Sequence, residues 1–203
     1  MIKNSNNHKV QERFQHLLSV VSSERFLKKQ GLGNEVPFFI CPYRPEESVE
    51  IKRMQKQLVN KLSQAGVRVL AINLYDLSVE ILKKNGDWEW YLDEETKMTK
   101  DELKEELQSI LDVETVLTPS IADQLRSDSF DVMFLSGVGE VFPYIRSHNV
   151  LNNLQSVAKD QPTVMFFPGA YTHTLESGAS LDLFNRLHDD KYYRAFNIYH
   201  YEI

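Results

Sequence analysis

The chain has 203 residues, 42% of them hydrophobic, with 23 basic and 29 acidic side chains and a net charge of −6. A chain this long buries roughly 70% of its unfolded surface in one domain, so it needs no disulfide or metal staple. The single cysteine, Cys41, excludes an intrachain disulfide, and no apolar run reaches the roughly 20 residues of a membrane span. With a polar opening that is no signal peptide, these features predict a cytoplasmic protein.

Residues 1–9 read as a flexible tail. Val10, Phe14, Leu17, Leu18 and Val21 then recur at helical spacing, which predicts an amphipathic helix ending before Gly31-Leu32-Gly33. Val36-Pro37-Phe38-Phe39-Ile40-Cys41 is a continuous apolar run, the pattern of a strand buried on both faces. Pro42 and Pro45 open a second helix with its stripe at Ile51, Met54, Leu58 and Leu62, and Gly66 sits at its C-terminal cap. Residues 67–73 predict a second strand. A helix with Leu77 and Ile81 follows and closes at Asn85-Gly86.

Residues 88–118 read as a helical, acidic insertion. Thr99 and Glu102 form a capping-box pattern, and Leu103, Leu107, Ile110 and Leu111 mark the inward side. Thr118-Pro119 starts a short helix with Ile121 and Leu125. The third strand is predicted over residues 130–135, followed by a helix through Val150, Leu154 and Val157. The fourth strand covers residues 163–167 and stops at Pro168-Gly169. A long loop, a helix near residues 181–187 and a last strand over residues 193–199 complete the chain. Alternating strands and helices predict a three-layer helix–sheet–helix α/β fold with a mainly parallel sheet of about five strands. A single domain over residues 10–203 is expected, and a degenerate ATPase-like fold stays open.

In such sheets ligands bind beyond the carboxyl ends of the strands. After the first strand, Cys41-Pro42-Tyr43-Arg44 lacks the glycine-rich turn and Lys-Ser/Thr pair of a P-loop. Cys41 reads as a small buried hydrophobe. After the third strand, Gly137-Val138-Gly139 is a broken dinucleotide fingerprint, better read as a tight turn, with Glu140 just beyond it. Arg146, His148, Asn149, Asn152 and Asn153 then crowd directional donors onto a helix start. They suit either an anion or partner backbone, or local capping. Tyr171, His173 and Glu176 lie on the loop expected after the fourth strand, without a paired nucleophile. His188-Asp189-Asp190 invites a metal, but three adjacent residues cannot converge on one ion, so no metal or cofactor is expected. Tyr192, Tyr193 and Arg194 combine aromatics with a guanidinium, a composition enriched at interfaces.

Several phrases together carry a resemblance. They are Gly137-Val138-Gly139-Glu140-Val141-Phe142-Pro143-Tyr144-Ile145-Arg146-Ser147-His148, then Leu151-Asn152-Asn153-Leu154-Gln155, then Phe166-Phe167-Pro168-Gly169-x-Tyr171, then Leu181-x-Leu183-Phe184, then Asp190-Lys191-Tyr192-Tyr193-Arg194-Ala195-Phe196. In this order the chain resembles the BrxB family of BREX, the bacteriophage-exclusion systems. The resemblance implies a role in phage defence beside a DNA methyltransferase, a large ATPase and an alkaline-phosphatase-like protein. It transfers no catalytic residue.

Four functions remain open. The favoured one is a non-enzymatic adaptor holding the phosphatase-like protein, and the ATPase or methyltransferase with it. Its expected contact residues are Glu140, Arg146, His148, Asn149, Asn152, Tyr171, His173, Tyr192, Tyr193 and Arg194. The others are a degenerate nucleotide-binding ATPase-like domain, a hydrolase or nuclease using His173, His188, Asp189 or Asp190, and direct DNA binding. Net negative charge and the absence of a basic run disfavour the last.

Overall fold

Phe38–Tyr43 (β1) and Val132–Ser136 (β3) bury their first four residues regardless of which way each side chain points. Strands of that kind need cover on both faces, and the molecule supplies it with helices. The structure, a computed structural model, describes residues 2–32, 37–127, 129–174, 178–188 and 195–203.

On one face lie Ile2–Ser22 (α1), Glu24–Leu27 (α2) and Ser48–Gln64 (α3). Leu17, Val20, Phe26, Met54, Leu58 and Leu62 pack there against Phe39, Cys41, Phe134 and Phe166 of the sheet. On the other face Leu74–Asn85 (α4), Thr118–Ser127 (α7) and Ser147–Val157 (α8) cover Phe38, Ile40, Met133, Leu135 and Met165. Alternate residues of one strand thus serve two cores. Each fully buried Phe, Leu or Ile stabilises the fold by about 1.5–3 kcal/mol relative to exposure.

The remaining strands are Val69–Asn73 (β2), Thr163–Thr174 (β4), Gly178–Leu183 (β5), Leu187–His188 (β6) and Phe196–Asn197 (β7). The order β2-β3-β4-β1-β7 joins five parallel strands, as the alternation predicts. Trp88–Glu94 (α5) and Lys100–Ile110 (α6) form the acidic helical segment after α4. The Thr99–Glu102 capping box is formed. Leu111 is buried, but Leu103, Leu107 and Ile110 are only half-buried, so α6 lies loosely on the surface.

The sequence reading and the structure part at three places. The first helix begins at Ile2, ahead of the start near Val10 that the apolar spacing predicts. The fourth strand does not stop at Pro168-Gly169 but runs on to Thr174, and the helix expected near residues 181–187 is instead β5, a turn and β6. Pro168 has no N–H to offer, but its carbonyl accepts from the Phe184 N–H at 2.8 Å. Gly169 lies where any Cβ would strike the Asp182 carbonyl, so glycine is what lets β4 and β5 pair there. Ala179, Leu181 and Leu183 are buried and alternate with Ser180 and Asp182, a period of two that fits a strand. The last strand is seen only as β7, and a short 3-10 turn, Ile198–His200, follows it.

Candidate functional site

The chain leaves β1 towards β2 at one sheet edge, and leaves β4 towards β7 on the other side. The carboxyl ends of β1 and β4 therefore mark the switch point where doubly wound sheets hold ligands. β1 there runs through Arg44 and a 3-10 turn, Pro45–Glu47, into the N-terminus of α3. This strand–turn–helix is the frame on which a P-loop grips phosphate.

Glu47 fills that place. Its carboxylate is buried and accepts from Arg13 Nη1 at 2.7 Å, from Arg44 Nη2 at 2.7 Å and Nε at 3.1 Å, and from the Arg44 backbone N–H at 3.2 Å. Burial opposes the charge, but the two guanidiniums outweigh it and hold the carboxyl below the ordinary glutamate range. A phosphate brought to this helix end would meet a fixed anion. Arg13 also lies over the Tyr199 ring, 5.7 Å from its centroid. Tyr199 OH is 3.2 Å from Cys41 Sγ, and His16 Nε2 is 3.1 Å from the Ile198 carbonyl. Burial pushes the Cys41 thiol up to about 12, so it is neutral and unreactive at pH 7, and pushes the Tyr199 hydroxyl up as well. This cluster ties α1, β1 and the C-terminal turn together.

The turn after β3 closes the neighbouring position. Gly137, at φ +79°, lies so close to the Asn73 side chain that a Cβ would collide with it. Asn73 itself caps α4, accepting from Tyr75 N at 2.9 Å and Asp76 N at 3.2 Å. A Cβ on Gly139 would come within 2.9 Å of Phe184 and Pro168. Glu140 pairs with Lys52 of α3 at 2.8 Å.

The expected contact residues fall into three groups. Arg146 and Asn149 are exposed at the start of α8, Asn152 is exposed one turn on, and His148 is half-buried. Asn153 donates to the Asn149 carbonyl at 2.8 Å. Tyr171 is buried instead of exposed. Its hydroxyl donates to the Ala195 carbonyl, and burial pushes its pKa up to about 12. It therefore braces the C-terminal segment and offers little to a partner. His173 lies on β4 opposite Ala179. Glu176, Asp189, Asp190, Tyr192, Tyr193 and Arg194 fall outside the described residues. The Arg13–Glu47–Arg44 clamp is not evident in the sequence, because Arg13 lies 34 residues before Glu47 and the Arg44–Glu47 spacing of three matches no binding motif.

The class defined here is a mainly parallel α/β protein with helices on both faces of the sheet, in which a carboxylate clamped by two arginines stands where β1 leads into α3. Residues 70–198 match the family model described as BREX protein BrxB. A BREX protein BrxB of Bacillus cereus (strain H3081.97) is 34% identical over 197 residues, covering 94% of this chain and 97% of that protein. Another, from Escherichia coli O9:H4 (strain HS), is 28% identical over 186 residues, covering 92% and 90%. The chain belongs to the BrxB family of BREX phage-defence systems. No solved structure matches it.

Proposed function

We propose that this chain is a non-enzymatic cytoplasmic subunit of a BREX complex, docking the alkaline-phosphatase-like component against the ATPase or the methyltransferase. The observation that supports this reading is Glu47. A carboxylate clamped by two arginines at the N-terminus of α3 occupies the position where this fold type would bind phosphate. Among the described residues no helix is long and apolar enough to cross a membrane, which suits the same setting.

The docking face is the outer side of α8. That helix contains no Asp, Glu, Lys or Arg, and its exposed row runs Asn149, Asn152 and Ser156 behind the exposed Arg146. Solvent-facing helices normally carry charge pairs. An amide row led by an arginine instead fits an interface, where charges are depleted and arginine is enriched. Co-purification with each locus neighbour tests the proposal. The wild type should bring down the phosphatase-like protein, and an R146E/N149A/N152A variant with unchanged melting should not, losing phage protection with it. Recovery of the wild type free of every neighbour, from a host carrying the whole locus, overturns it.

One feature favours a nucleotide-binding reading: β1 lies inside a parallel sheet and leads through one short turn into a helix N-terminus. Titration calorimetry with ATP and magnesium separates the two. The adaptor reading expects no heat at millimolar nucleotide.

A further inference from the structure

Charge is distributed unevenly over this molecule. Residues 87–114 hold eleven carboxylates against three lysines, more negative charge than the whole chain's −6. The rest of the protein is therefore net positive. Part of that positive charge stands on the outer side of α3, where Lys52, Arg53, Lys56 and Lys61 are all exposed. Lys52 pairs with Glu140. Arg53 and Lys56 have no ion pair among the described residues.

Beside this row runs a groove of about 400 Å³, lined by Lys56, Val59, Ala71, Phe134, Ser136 and Phe166. It lies between α3 and strands β2, β3 and β4, with β2 the terminal strand of the sheet. Ala71 is exposed in its floor. A space of that size, apolar within and cationic at its rim, suits one large apolar anchor set among carboxylates.

The acidic segment displays such an anchor. Trp90 of α5 is 49% exposed and Leu92 is 48% exposed. Glu89 and Asp93 are exposed on either side of Trp90, while Tyr91 faces inward and holds α5 on the core. The Trp90 ring stands edge-on to Tyr91, 4.9 Å between centroids, so its exposed part is held in a fixed direction beside the two carboxylates.

We infer that this groove is the docking site for the α5 segment of a second copy of the chain, Trp90 entering between α3 and β2 while Glu89 and Asp93 meet Arg53 and Lys56. The match of an anionic aromatic knob to a cationic apolar groove is what selects a second copy, since each molecule displays both halves. The inference does not depend on the adaptor reading, because it needs no other BREX component.

Sedimentation velocity on the purified full-length chain tests it. Wild type should self-associate with increasing concentration, and the association should weaken as NaCl is raised. W90A and R53E/K56E should each raise the dissociation constant about tenfold or more, the scale of losing a buried aromatic anchor. Circular dichroism melting should be unchanged in both, since neither Trp90 nor Arg53 belongs to a core. Mixing R53E/K56E with E89K/D93K should restore an assembly that neither forms alone. A wild type that is monomeric at its highest soluble concentration overturns the inference, as does self-association that W90A and R53E/K56E leave intact. Retention of duplex DNA at low salt by a monomeric wild type, lost in R53E/K56E, would assign the basic row to a polynucleotide instead.

Discussion

Glu47 is the residue on which the carboxyl edge of β1 depends. Its partners Arg13 and Arg44 come from different parts of the chain, so losing the carboxylate leaves two guanidiniums facing each other across a buried gap. We expect Glu47→Ala to cost about 2–3 kcal/mol, less than a fully buried pair would, because Arg44 remains half-exposed. Glu47→Gln keeps the size but removes the charge, and its signature is in pH. Native Glu47 titrates below its ordinary value of 4.5. Its contribution is therefore complete above that value and is lost as pH falls through the lowered native one. The wild type should exceed Glu47→Gln in melting temperature at pH 7, and the gap should shrink from about pH 5 downward. A gap of equal size at pH 7 and pH 3 would show that no ion pair holds this edge.

Among the elements, the turn between β3 and α8 is tightly constrained. Gly137 combines a positive φ with direct contact to the Asn73 cap of α4. Gly137→Ala must carry about 1–2 kcal/mol of left-handed backbone strain and displace a cap worth about 1 kcal/mol more. Urea unfolding should show a fall in midpoint with an unchanged slope. A variant as stable as wild type would mean that the turn relaxes and that α4 does not rely on Asn73. Elements with one dominant period were legible from the chain. The apolar run of β1, the stripe of α3 and the box at Thr99 all lie where their spacing puts them. The extension of β4 was not, because Pro168-Gly169 reads locally as a stop and only pairing with β5, across the chain, makes it a strand. The acidic candidate at Glu140 and the polar start of α8 were visible as composition. The clamp at Glu47 was not, since it exists only once α1 is laid across the end of β1.

At the scale of the whole molecule, the question is whether the acidic helices behave as part of the domain or as an appendage. Their inward contacts argue for one unit. Trp88 packs against the core that Tyr91 and Leu111 join, the same cluster that holds Phe38, Met133 and Leu154. Lys83 of α4 also lies over the Trp88 ring, 5.4 Å from its centroid. Opposing them are the loose seating of α6 and the mutual repulsion of its carboxylates, which salt screens. Buried contact with the shared core should prevail, because a cluster spanning sheet and helices cannot lose one side without exposing the other. Both tryptophans, Trp88 and Trp90, lie in α5, so fluorescence reports this segment alone while far-ultraviolet circular dichroism reports every helix. Measured in urea at low protein concentration, the two transitions should coincide at both low and high salt. A fluorescence transition at lower urea, shifted upward by salt, would make α5 and α6 a separately unfolding attachment held to the sheet by little more than Trp88 and Tyr91.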